Sequence, residues 1–142
     1  MSSTIPVNMD DEISSSEPLD VNLTKLHSTL QRLVPLLVDQ HDTDAEQSLI
    51  RLVLTFDTVY DRFTSWNAQL ANSFSIMKHR KCISLLLNVL QATQNCDLAA
   101  PVLGTLRCLA RVDRNKSYIV DRKGVPIITT VLFDLIPISF FI

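Results

Sequence analysis

The sequence predicts an all-α fold of stacked helical repeats, and three observations carry that prediction. Ile83, Leu86, Val89 and Leu90 recur as Val125, Ile128, Val131 and Leu132, each pair 42 positions apart. A period near forty is the mark of an α-solenoid. Leu23, Leu26, Leu30, Leu33 and Leu37 follow one another at spacings of three and four, which draws one apolar stripe down a helix. Two glycines and 6% aromatic residues leave too few turns and aromatic strands for a sandwich or barrel. At 142 residues with 46% apolar side chains, the chain suits one domain of about two to three repeats.

Residues 1–22, MSSTIPVNMDDEISSSEPLDVN, hold Asp10, Asp11, Glu12, Glu17 and Asp20 with no Lys or Arg, a charge of −5. A Ser-rich, acidic stretch poor in large apolar groups cannot offset its own ordering entropy. It is expected to be a disordered tail, either solvating or, through Ser14 to Ser16, engaging a partner or a kinase. The helical body is placed at 23–135 and carries +3. The leucine stripe opens it, with a kink or break expected at Pro35. The stripe is too short for a zipper and reads as core.

HDTD then ends the first helix, and Thr43 with Glu46 makes a capping-box pattern. The second helix shows Leu49, Leu52, Val53, Phe56, Tyr60 and Phe63 on one face, closed by Thr64 and Ser65. A shorter helix is expected over Trp66–Met77, with Trp66 as a lid on the core or an exposed anchor. KHRKC, residues 78–82, is expected in a turn, because it aligns with DRKGV at 121–125. A helix follows to about Ala92, then a turn at Thr93–Asn95. Asp97 is expected to cap the next helix, whose buried face is Leu98, Val102, Leu106, Leu109 and Ala110. Gly104 in that helix implies close approach of a neighbour. A further helix near Lys116–Arg122 buries Tyr118, Ile119 and Val120 in part. Gly124 is expected to end it in the left-handed conformation, and Pro126 opens the next helix.

These residues resemble the armadillo repeat. VPIITTVL at 125–132 and ISLLLNVL at 83–90 resemble its second helix, and LRCLA at 106–110 the end of its third. Asn115, Ile119-Val120 and Gly124 resemble its inter-repeat turn. The resemblance implies an armadillo-like solenoid that serves as a protein-protein interaction module. Armadillo proteins that read extended basic peptides carry a Trp and Asn ladder. Gly104 and Cys108 stand at those positions here, so that mode is disfavoured. More weakly, LLNVLQATQN and RNKSYIVDRKGVPIITTVL are similar to the N-terminal helical-repeat region of cytosolic carboxypeptidases, the tubulin deglutamylases. That resemblance implies the non-catalytic front of a longer zinc enzyme.

No residue is assigned a catalytic, cofactor-binding or metal-binding role. His27, His41 and His79 lack the spacing of a metallopeptidase site. His41 with Asp42 and Asp44 reads as a solvated cap. There is no phosphate loop, nucleophile elbow or Cys-x-x-Cys. The candidate site is a basic edge made by Lys78, Arg80, Lys81, Arg111, Arg114, Lys116, Arg122 and Lys123. It is expected to meet a protein partner with an acidic segment or the chain's own residues 10–20, or else to be a solvated edge. Nucleic acid is disfavoured by the net charge of −2 and by the lack of aromatics interleaved with the basic residues. No small-molecule substrate is expected. Three cysteines and no secretory signal suggest free thiols in the cytoplasm. VPIITTVLFDLIPISFFI, residues 125–142, carries Asp134 and two prolines and makes a poor membrane span. Residues 136–142 are expected to form an irregular apolar end with Phe140, Phe141 and Ile142 uncovered, as in a chain truncated inside a repeat or a short isoform.

Overall fold

A computed structural model describes residues 12–61 and 73–134, with side chains in the second stretch given from Ile76 onward. Every regular element among these residues is a helix. They are α1 (Leu19–Gln40), α2 (Thr43–Tyr60), α3 (Ser73–Ala92), α4 (Cys96–Leu109), α5 (Asp113–Asp121) and α6 (Gly124–Asp134). α1 packs against α2 and α3, and α4 against α2 and α3. α6 continues along α3 on its far side, with α5 touching both. One row of helices therefore runs α1, α3, α6, and a second row runs α2, α4.

The core follows the apolar stripes. Leu23, Leu26, Leu30 and Leu33 are fully buried and Leu37 nearly so. They meet Leu49, Val53 and Phe56 of α2, Ile83 and Leu86 of α3, and Leu98, Val102 and Leu109 of α4 in one cluster. Burying each such side chain is worth roughly 1.5–3 kcal/mol, so α1 is held by its stripe despite Pro35. The helix runs through that proline to Gln40, and Pro35 itself is exposed.

Several boundaries differ from the sequence reading, each for a local reason. α1 starts at Leu19, inside the segment assigned to the tail. Upstream of it, Ile13 is buried. The backbone around Ser14 is tied to the fully buried Asn22, whose Nδ2 donates to Ser14 O (2.8 Å) and to Tyr60 Oη (2.6 Å). Residues 1–11 lie outside the described residues, as do Phe63, Thr64, Ser65, Trp66 and 136–142. The N-cap of α2 is Asp42, which accepts from Ala45 N–H (3.0 Å). Glu46 instead accepts from Asn95 (3.0 Å), bridging to the turn before α4. Asn95, not Asp97, caps α4 by accepting from Asp97 N–H (2.9 Å).

The largest correction concerns KHRKC. Residues 78–82 lie inside α3, not in a turn. His79 and Cys82 are fully buried, and continuing the helix is what points both inward. The matching DRKGV segment does break, at the α5–α6 junction. There Lys123 takes the left-handed conformation (φ 59) and Gly124 does not. Gly124 is needed for space: a Cβ there would sit 2.5 Å from Ile119 Cγ2 and 2.8 Å from Ile119 O. Gly104 has the role expected of it, since a Cβ would meet the Asp57 carboxylate of α2, 2.6 Å from Cγ. Thr105, one residue on, donates to Val53 O (3.1 Å) and Pro101 O (2.9 Å), bonding α4 to α2. Val120 is 61% exposed rather than partly buried.

Candidate partner-binding groove

α1, α3 and α5 enclose an open groove of ≈ 600 Å³ lined by His27, Gln31, Met77, Arg80, Lys81, Ser84, Leu85 and Tyr118. Its centre is Tyr118, placed by the first turns of α5. The Tyr118 hydroxyl is 2.8 Å from Ser84 Oγ, which pins the ring against α3. The Arg80 guanidinium lies 5.3 Å from the ring centroid and that of Arg122 5.9 Å. An aromatic quadrupole attracts cations, so one ring gathers two guanidiniums from elements 42 residues apart in sequence. Lys81 lines the same groove. The groove is electropositive: burial lowers the pKa of His27, and Lys81 and then Lys78 lower it further.

The basic edge is thus divided by the fold. Arg80, Lys81 and Arg122 converge at Tyr118. Lys123 and Arg122 line an adjoining groove of ≈ 480 Å³ that shares Ser84. Lys78 lies beside them, donating to Thr24 Oγ1 of α1 (2.8 Å). Arg111 turns away to α2, donating to Tyr60 O (2.9 Å) and Asp61 O. Lys116 pairs with Asp113 (3.2 Å) and borders a different, apolar groove. Arg114 is exposed and lines none of these grooves. Sequence reasoning missed His27, Ser84 and Tyr118 as site residues.

Beneath the groove, the second turn of α3 is fastened to α5. Asn115 Nδ2 donates to Leu109 O (2.8 Å) and to His79 Nδ1 (2.7 Å). A carbonyl oxygen only accepts, so the amide nitrogen faces both groups, and Nδ1 is the accepting, unprotonated nitrogen of a neutral imidazole. Burial lowers the His79 pKa to about 4, against a smaller opposing pull from Asp20. The thiols are unreactive at neutral pH where buried: Cys82 is pushed up to about 12 and Cys108 to about 11, burial leading in both. All three cysteines are free. His41 and Asp42 act as caps, His41 in the left-handed conformation at the end of α1.

Among the described residues no three His, Cys, Asp or Glu side chains converge as a metal ion would require. No described helix is long and apolar enough to cross a membrane. Comparison with family models, curated proteins and solved structures gave no match to this chain.

Proposed function

We propose that this chain is a non-catalytic, armadillo-like helical-repeat module that binds a protein partner through an acidic segment laid across the Tyr118 groove. The observation that carries this reading is the convergence of Arg80 and Arg122 on one aromatic ring, with Lys81 in the same groove. Guanidiniums held in place in this way can each accept a carboxylate in a two-point contact at little further ordering cost. Met77, 56% exposed, and the half-buried Leu85 offer apolar wall for the alkyl part of a glutamate side chain. The two helix rows, with each new pair stacked on the last, agree with a repeat scaffold that presents such a surface rigidly.

The test is titration of a fluorescein-labelled Glu-rich peptide, read by anisotropy, against the wild type and an Arg80→Glu/Arg122→Glu variant. Both arginines are exposed, so the reversal leaves the core intact. Wild-type binding should weaken as salt rises, and the variant should lose about tenfold or more in affinity. Equal affinity in the two proteins would overturn the proposal.

A further inference from the structure

A cavity of ≈ 150 Å³ opens between α1, α2 and the segment that precedes α1. Ile13 and Leu52, both buried, give it an apolar wall. Ser48, Arg51 and Thr55 line it from α2, where spacings of three and four put them on one face. Glu12 lines it from the segment before α1, held there by Lys25 Nζ, which donates to its backbone oxygen (3.0 Å). Glu12 and Arg51 thus share one cavity, yet they form no ion pair with each other among the described residues. Thr29 of α1 completes the wall. It is 2% exposed, and its hydroxyl has no hydrogen-bond partner among the described residues. Buried hydroxyls are nearly always bonded, so the polar atom of a ligand gains most at this place.

We infer that this cavity binds a free α-amino acid with a small apolar side chain, of the size of valine or leucine. The groups on its wall match such a zwitterion. Arg51 supplies a two-point donor for the α-carboxylate, and the hydroxyls of Ser48 and Thr29 can donate beside it. Thr55 already gives its proton to Arg51 O (2.7 Å), so its oxygen is left as an acceptor. With the Glu12 carboxylate it suits the α-ammonium. The side chain then lies on Ile13 and Leu52. The size agrees, since an apolar cavity of about 150 Å³ holds a benzene ring in another protein. Here the charged ends stay toward solvent, where Glu12 and Arg51 are exposed. A dicarboxylate would set a second negative charge against Glu12, and a diamine a second positive charge against Arg51, so the pair selects against both. The cavity shares no lining residue with the Tyr118 groove, and the inference is independent of the acidic-partner reading.

The test is an amide-shift titration of the ¹⁵N-labelled full chain with L-leucine. Two analogues run beside it: isocaproate, which lacks the amine, and isoamylamine, which lacks the carboxylate. Leucine is expected to give saturable shifts clustered at residues 12–13, 29 and 48–55. Each one-ended analogue should bind about tenfold or more weakly, because it leaves one charged group of the cavity unanswered. Arg51→Gln and Glu12→Gln should each weaken leucine binding by about tenfold or more. Both residues are exposed, so helix content by circular dichroism should not change. Absence of saturable shifts with millimolar leucine would overturn the inference. So would equal affinity for leucine and the two analogues, or leucine binding that neither variant alters. Should a variant lose helix content, the analogue series on the wild type decides alone: tenfold discrimination supports the inference, and equal binding overturns it.

Discussion

Keeping His79 neutral should cost this fold about 2 kcal/mol of stability by pH 5. The side chain is fully buried, and its Nδ1 accepts from Asn115 (2.7 Å), so a proton added there would face the amide protons of its own partner. Its pKa falls from 6.5 to about 4 on folding. The unfolded chain thus takes the proton first, which sets the sign: stability is whole above pH 6.5 and declines as pH falls toward 4. At pH 5 the unfolded imidazole is about 1.5 decades past its midpoint and the folded one is still neutral, which gives about 2 kcal/mol. With an m-value near 2 kcal/mol per molar, the urea midpoint drops by about 1 M between pH 7.5 and pH 5. Carboxylates and His27 also titrate, so the control is His79→Gln measured over the same range. The wild type should show the steeper decline, by about that 1 M. A direct check is the imidazole proton resonance of His79, which should keep its neutral position down to pH 5. Equal pH slopes in the two proteins, or a His79 resonance titrating near 6.5, would refute the reasoning.

Three glycine-linked predictions follow from close contacts. Gly104→Ala should destabilise by about 1–3 kcal/mol, because the new methyl enters the space of the Asp57 carboxylate. In an Asp57→Ala background the same change should be neutral or gain up to about 1 kcal/mol from helix propensity, and a thermal-denaturation double-mutant cycle reads the difference. Lys123→Gly should stabilise by up to about 1 kcal/mol, since Lys123 occupies the left-handed region that costs a side-chain-bearing residue roughly that much. Gly124→Ala, by contrast, should destabilise by more than 1 kcal/mol, because the backbone oxygen of Ile119 cannot yield 2.8 Å from a new Cβ. If Lys123→Gly is destabilising and Gly124→Ala is silent in urea melts, the junction is built the other way round.

Helix content and the core were legible because they rest on spacing alone. The stripe from Leu23 to Leu37 and the faces at Leu49–Tyr60 and Leu98–Leu109 are buried as their periods require. What misled was similarity between KHRKC and DRKGV. The two segments match in charge, but only the second carries a glycine against Ile119, while the first carries His79 and Cys82 that a continuing helix buries. Charge counts could not separate Arg111, whose guanidinium binds the end of α2, from Arg80, because hydrogen bonds to backbone carbonyls leave no mark in sequence. The acidic look of residues 12–22 likewise hid Ile13, which is buried, and Asn22, whose amide donates to the Tyr60 hydroxyl.

The most direct test of the acidic-partner proposal is a titration of the ¹⁵N-labelled chain with an unlabelled Glu-rich peptide, followed by amide chemical shifts. Shifts clustered at residues 77–85 and 118–123, absent with a Gln-rich peptide of the same length, are the predicted result. Shifts confined to the apolar groove around Val125 and Ile128, or equal responses to both peptides, would contradict it.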